Sequence, residues 1–393
     1  MRDDSAENMK TLGIGVAGLG RAFSLMAPTF AADPRVRLVA AADPRPEALR
    51  RFAEEFSGAA HPSVAALCAD PQVDVVYVAT PHQFHAEHAC LAASRGKHAL
   101  VEKPMALDLD ECTAMIRAAR NAGVRLIVGH SHSFDRPILE TRRLIDSGEF
   151  GRVRMITAVN FTDYLYRPRR PEELDTSQGG GAVFNQAAHQ VDVVRMLAGA
   201  RAVSVRASTG AWDPSRPTEG AYSCLINFED GTFATLLYSG YAHFDSDELM
   251  GWVGELGREK DPTRHGRARE ALSSGDEQRL KGGRNYGGSG FTALAKAASH
   301  EHFGPVVVSC ERADLRPLPD RIEIHGDAGR RTVPLAPPRI PRIEVIDELY
   351  DAVVHGKPPR HDGEWAAATL EVCLAILRSG RESREMPLTA SRP

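Results

Sequence analysis

Leu12–Phe23 reads LGIGVAGLGRAF, an apolar run that breaks at a pair of glycines and resumes with helical spacing. Gly18 and Gly20 fall where a strand would give way to a helix. There the chain can turn tightly and bring backbone N–H groups at the helix N-terminus close to a pyrophosphate. Arg21 and Ala22 open that helix and belong to the same expected nucleotide contact. A third small residue would complete the loop, but the chain has Phe23 there. Two glycines in a strand-to-helix turn also occur for steric reasons alone, so the loop needs support from its surroundings.

That support lies on its C-terminal side. VRLVAAAD (36–43), VDVVYVAT (73–80), KHALVEK (97–103) and VRLIVGH (124–130) are near-continuously apolar, as strands buried on both faces of a parallel sheet should be. Between them EALRRFAEEF (47–56) and LDECTAMIRAARNAG (109–123) carry polar faces. The alternation predicts an α/β fold with a doubly wound parallel sheet and right-handed crossovers. Asp43 ends the second strand, 23 residues past Gly20, where an acid accepts hydrogen bonds from the adenosine ribose hydroxyls. It can also cap the helix opening at Pro46. Asp43 repels a 2′-phosphate and Arg45 attracts one, so NAD is the expected cofactor and NADP stays open. Thr80 and Pro81 end a later strand, where loops of an open sheet face the cofactor. His82, His85 and His88 follow at a spacing of three. With only Glu87 nearby, on another face, they read as polar residues of a helix start rather than as a metal site, and no metal is expected. His85 is grouped with the cofactor contacts.

After Ser131 the texture changes. A helix over 137–147 precedes separated strand candidates at 152–161, 202–208, 221–229 and 231–241, with a hairpin turn at Glu229-Asp230-Gly231. This α+β pattern predicts a second domain with an open, largely antiparallel sheet. A boundary is expected near residue 131, dividing a nucleotide-binding unit (1–131) from a substrate and oligomerisation unit (132–393). Residues 257–290 are rich in charge and glycine, and read either as a mobile lid or as a solvated surface excursion. Two helices, about 342–355 and 364–379, close the chain.

Bulk properties exclude several classes. The 393 residues suffice for two domains, and the 42% hydrophobic and 25% charged balance is that of a soluble globular protein. A net charge of −4 without a basic block argues against nucleic acid as a partner. Six scattered cysteines without a CxxC suggest neither a zinc site nor a disulfide framework. The polar start MRDDSAENMK is unlike a secretory leader and no apolar run spans a bilayer, so a cytoplasmic protein is expected.

Two stretches carry chemistry. LVEKPMALD (100–108) sets Lys103 between Glu102 and the ring-locked Pro104 at a strand end. Such a lysine is ordinarily a solvated charge, unless it is aimed at something. GGGAVFNQAAHQVDVVRMLAG (179–199) places Asn185, His189 and Asp192 at i, i+4 and i+7, hence on one helix face, as a proton-handling site would.

GVAGLG, Asp43, ATPHQFHAEHA, GKHALVEKP and GGG-x3-N-x3-H-x2-D together resemble the Gfo/Idh/MocA family of oxidoreductases, in order and spacing over nearly the whole chain. The resemblance implies a Rossmann domain, an open-sheet domain, and homodimers or homotetramers formed through that sheet's exposed face. It also implies that Glu102 and Lys103 lie beside the cofactor, with Lys103 between nicotinamide and substrate. Sugar and inositol dehydrogenases of the family carry an acid where this chain has Asn185. An amide is no base, so proton transfer is expected to rest on His189 and Lys103. Within the family, GLGRAFSLM…PTF, YRPRRPEELDTSQGGG, GWVGELGREKDP and EHFGPV are similar to bacterial phthalate cis-dihydrodiol dehydrogenases. This implies oxidation of a secondary alcohol by hydride transfer, on an anionic cyclic diol. Tyr164, Arg167, Arg169, Arg170 and Asn185 are then the expected substrate contacts, because an arginine fork suits a carboxylate. The plainer reading is a solvated loop in which Glu172, Glu173 and Asp175 neutralise the arginines. A sugar or inositol dehydrogenase, and a regulator that binds cofactor without turnover, are the alternatives.

Overall fold

The computed structural model describes residues 10–264, 267–273, 275–291 and 296–389. The first half builds β1 (Leu12–Ala17), α1 (Arg21–Ala32), β2 (Val36–Ala42), α2 (Pro46–Phe56), β3 (Ala59–His61), α3 (Val64–Ala69), β4 (Val75–Val78), α4 (His85–Ser94), β5 (His98–Val101), α5 (Leu109–Ala122) and β6 (Leu126–Val128). The strands form a six-stranded sheet in the order β3-β2-β1-β4-β5-β6, every pair parallel. β1 and β4 are buried along their whole length, which accounts for their unbroken apolar runs. Strand order reverses between β1 and β4, and this opens a crevice at their C-terminal ends. The three-residue β3 escapes a reading from sequence because AAH is short and mostly exposed.

Phe23 does not complete the glycine loop. It is fully buried in an aromatic cluster, with ring centroids 6.0 Å from Phe52 and 5.0 Å from Tyr286. Tyr286 comes from the glycine-rich 257–290 stretch, which carries α8 (Arg267–Ser273) and α9 (Glu277–Gly283) and docks here. Further on, α10 (Ile343–Val354) packs Val345, Ile346 and Leu349 into the same apolar cluster.

The second half begins with α6 (Arg136–Asp146) and β7 (Val153–Phe161). One π-helical turn over Val183–Ala187 then leads into α7 (Ala188–Ala198). β8 (Ala202–Gly210), β9 (Ala221–Phe228) and β10 (Phe233–Ser239) follow, then β11 (Val306–Cys310), β12 (Ala313–Leu318), β13 (Arg321–Gly326), β14 (Gly329–Pro334), α11 (Gly363–Glu382) and β15 (Met386–Pro387). The sheet order is β14-β13-β12-β11-β7-β10-β9-β8-β15; β7 and β10 run parallel and the other described pairs antiparallel. On one face Ile156, Ile226 and Leu236 bury against Val191, Val194 and Ile376 of α7 and α11. On the other face Met155, Leu225, Phe233 and Leu237 stand 37–39% exposed. Among the described residues no helix is long and apolar enough to cross a membrane.

Candidate active site

The crevice at the end of β1 is shaped for a nucleotide. Gly18 has φ +93°, and a Cβ there would lie 2.8 Å from the Ala79 carbonyl oxygen, so only glycine fits. Around Gly20 the nearest atom to such a Cβ is 3.9 Å away, so its bare backbone borders open space. The cleft has a volume of about 630 Å³. Gly18, Gly20, Arg21 and Ala22 form one wall; Asp43 and Arg45 form a second, and Thr80 and Pro81 a third. Asp43 is already engaged. Its Oδ2 accepts the Leu19 N–H at 2.7 Å, and its Oδ1 accepts the Arg45 N–H and Nε at 2.9 Å each. Arg45 also donates to the Leu19 and Tyr286 carbonyls at 2.7 and 3.2 Å, so its guanidinium braces the glycine loop instead of standing free for a 2′-phosphate. These features fit a dinucleotide with an unmodified ribose.

Lys103 lies two residues past the end of β5. His85 stays buried off the cleft, and its ring spans two loops, with Nδ1 2.9 Å from the Pro104 carbonyl and Nε2 2.9 Å from the Thr80 carbonyl. One side chain therefore fixes the end of β4 against the turn that carries Lys103. Glu102 is also buried and accepts the Tyr77 hydroxyl at 2.5 Å; burial raises its pKa. Lys103 Nζ donates to the Asn185 carbonyl at 2.7 Å. Burial lowers the lysine to about 8, while Glu102 and Glu255 oppose the fall.

Lys103 borders a second cavity of about 520 Å³, which shares Arg21, Lys281 and Asn285 with the nucleotide cleft. Asn185 faces it, with its amide donating to the Gly179 and Gly181 carbonyls at 3.1 and 2.9 Å. The three polar residues on one face expected from sequence are divided. The wider π turn offsets Asn185 from the helix that carries the other two. His189 is buried beneath the cavity, 3.4 Å from Ser131 Oγ, with its ring against His132 (4.7 Å) and Phe303 (4.8 Å). Burial and the charges of Lys103, His132, His130 and Arg342 hold it well below the usual histidine range. It is therefore neutral at physiological pH. Asp192 turns the opposite way. Its carboxylate takes the Ser133 hydroxyl and the Trp365 indole N–H, and Ser133 bonds His361 Nε2 at 2.8 Å.

The arginine segment is largely compensated. Arg167 pairs with Asp163 at 2.7 Å and Glu255 at 3.5 Å. Arg169 lies 3.8 Å over the Tyr164 ring and 3.8 Å from Glu173, and Arg170 holds Glu172 and Glu173 at 3.2 and 3.4 Å. Arg167, Arg169 and Tyr164 line the 520 Å³ cavity, whereas Arg170 faces the nucleotide cleft. The Tyr164 hydroxyl donates to the Gly181 carbonyl at 3.0 Å.

The sequence reading passed over HSHSFD (130–135). Asp135 is buried between two histidines, 2.7 Å from His132 Nδ1 and 3.1 Å from His130 Nε2. Burial opposes a charge on His132, but Asp135 and Glu255 outweigh it and raise the group to about 9. Donor atoms of His130, His132, Asp135 and Glu301 lie within 4.8 Å of one another. They are spent on each other and on Arg342, which pairs with Glu301 at 3.0 Å. Three histidine and acid letters in six residues were a visible signal; their partners Glu255, Glu301 and Arg342 were not.

Residues 12–130 match a model described as "Oxidoreductase family, NAD-binding Rossmann fold", and residues 138–258 match the GFO/IDH/MocA C-terminal domain. The chain belongs to the Gfo/Idh/MocA family of NAD-dependent oxidoreductases. It is 53% identical over 377 residues, 94% of each chain, to the 1-carboxy-3-chloro-3,4-dihydroxycyclohexa-1,5-diene dehydrogenase of Comamonas testosteroni. It is 31% identical over 226 residues to a levoglucosan dehydrogenase of Pseudarthrobacter phenanthrenivorans, covering 54% of this chain and 57% of that protein. A solved structure from Bordetella bronchiseptica RB50, provisionally described as a dehydrogenase, superposes with a TM-score of 0.92 at 43% identity over 96% of this chain and all of the other. The family, the two-sheet architecture and the dehydrogenase class agree with the expectations drawn from the motifs.

Proposed function

We propose that the protein oxidises a cis-diol on a partly unsaturated ring that bears a carboxylate, leaving a ketol that enolises to an aromatic diol. The observation that carries this reading is the lining of the cavity beside Lys103. Eight basic side chains face it against four carboxylates. Several are paired, some with Glu173 and Asp245 behind the lining. Arg21 and Arg284, however, have no carboxylate within ion-pair distance among the described residues, which suits an anion better than a neutral sugar. The 53%-identical relative is named for such a carboxylated diol, which supports the same class.

NAD, when bound, supplies the hydride acceptor. Gly18, Gly20, Arg21 and Ala22 would cradle its phosphates, Asp43 would take the ribose hydroxyls, and Thr80 and Pro81 would border it. Hydride leaves the carbinol carbon while the hydroxyl proton passes to the unprotonated amine of Lys103. Asn185 orients that amine through its backbone carbonyl, neutral His189 packs behind the site against His132 and Phe303, and Asp192 braces Ser133 and Trp365 away from the cavity. Tyr164 and Arg169 wall the substrate. A division of the chain near residue 131, a cytoplasmic setting for six unpaired cysteines, and a homo-oligomer formed through the uncovered sheet face complete the proposal. The test is NADH formation with a carboxylated cyclohexadiene cis-diol, the same diol without its carboxylate, inositol and glucose, each with NAD and with NADP. Preference for the carboxylated diol with NAD is expected. Faster turnover of inositol or glucose would overturn the reading.

A further inference from the structure

Two guanidiniums in the substrate cavity stand apart from the rest. Arg21 opens α1 and Arg284 follows α9; both border the 520 Å³ cavity that Lys103 and Asn185 also line. Among the described residues neither guanidinium has a carboxylate within ion-pair distance. Arg167, Arg169 and Lys281, by contrast, each pair with Asp163 or Glu173. Both are more than half withdrawn from solvent. Arg284 is the largest charge acting on Arg21, and its repulsion adds to burial in bringing Arg21 down to about 10. Asp163 and Glu173 act on Arg284 only from a distance, already paired with Arg167 and Lys281. Half-desolvated cations that repel one another, with no anion between them, form a site that an anion completes.

The anion's source follows from which cavity each residue faces. Arg21 borders both cavities, so the pyrophosphate and a substrate are both within its reach. Arg284 borders the substrate cavity and not the nucleotide cleft. We propose that Arg284, with Arg21 beside it, binds the ring carboxylate of the substrate and so turns the diol toward Lys103. This rests on the dihydrodiol reading above and deepens it. It transfers carboxylate recognition from the arginines of 167–170, which are neutralised in place, to the 257–290 excursion. A planar fork from that excursion presents two parallel donors to one carboxylate.

The test compares wild type, Arg284→Met and Arg284→Lys in three measurements on the full chain. These are kcat/KM for the carboxylated diol and for its uncarboxylated counterpart, NADH affinity, and benzoate binding to the NADH-loaded protein by calorimetry. In Arg284→Met the ratio of the two kcat/KM values should fall at least ~ten-fold, the usual effect of losing a charge-assisted pair. Benzoate affinity should fall by a similar ~ten-fold factor, with NADH affinity held. Lysine should restore part of the loss. An unchanged ratio with unchanged benzoate affinity, or a loss of NADH affinity instead, would overturn the assignment. If wild type turns over neither diol, the dihydrodiol reading fails, and the benzoate measurement still decides whether Arg284 holds a carboxylate.

Discussion

Burial lowers both Lys103 and His189 below their ordinary ranges, and this changes which of the two can take a proton near neutrality. Burial brings the lysine to about 8, so a useful fraction of free amine exists near neutrality; the histidine, pushed far down, is already neutral and has no proton change to contribute there. The sign follows: the free amine is the base, so kcat/KM should rise with pH and level off above an inflection near 8, with no step near 6.5. Lys103→Met should lower kcat by ~10²–10⁴ while NAD affinity, measured by fluorescence titration, stays nearly intact. His189→Asn should lower the rate but keep the rising limb near 8; a limb that vanished with the histidine would make His189 the base. That Lys103 mattered was legible from EKP beside a strand end. Which of the two residues takes the proton was not. His189 is set by burial first, then by the charge of Lys103 and those of His132, His130 and Arg342, and neither the burial nor these neighbours follow from sequence spacing.

Elements with a strong local pattern were read closely. The expected helix over 137–147 is α6 at Arg136–Asp146, and the expected strand over 152–161 is β7 at Val153–Phe161. The hairpin turn stands too, with the Gly231 N–H donating to the Phe228 carbonyl at 3.1 Å. The meander β11–β14 went unread for a physical reason. β12 alternates in burial but contains Pro317, which argues against a strand inside a sheet, and β14 sits at the sheet edge with most of its residues exposed, so it shows no alternation. In the HSHSFD turn the letters are visible, but the burial of Asp135 between two rings and the distant partners Glu255, Glu301 and Arg342 are not. That turn makes a stability prediction. His132 is raised to about 9 in the folded protein from an ordinary value of 6.5. A raised group contributes stability in full below about 6.5 and loses it as pH climbs through about 9, up to roughly 3 kcal/mol for a shift of this size. Thermal melts should therefore show His132→Asn well below wild type at pH 6, with the gap closing by pH 9.5. A gap that did not change with pH would mean that the ring acts through packing alone.

At the scale of the whole molecule, the described residues cover the second sheet on one side only. α7 and α11 bury one face, and along β10 the side chains alternate so that Ala234, Leu236 and Tyr238 go inward while Phe233 and Leu237 go out. Register places Phe233 beside Met155 and Leu237 beside Val159 on the parallel β7, while Leu225 of β9 lies opposite Thr235. Several large apolar residues thus make one patch on three adjacent strands, more than isolated exposed side chains would explain. The homo-oligomer proposed above would cover this face with a second copy of the chain, since a two-fold axis brings the same patch together on both copies. An exposed sheet face was expected only from the family resemblance, because the nearly continuous apolar letters of GTFATLLYSGY do not by themselves tell an inward side from an outward one. Leu237→Glu is the discriminating change. In a single chain the new carboxylate would point into water and should barely alter the melting temperature or NADH affinity. Across a dimer it would be buried without a partner, a cost of several kcal/mol. Sedimentation at micromolar protein should show wild type as an oligomer and Leu237→Glu as a folded, NADH-binding monomer. A wild type that sediments as a monomer, or a variant that keeps its oligomeric state, would leave this face without the partner assigned to it.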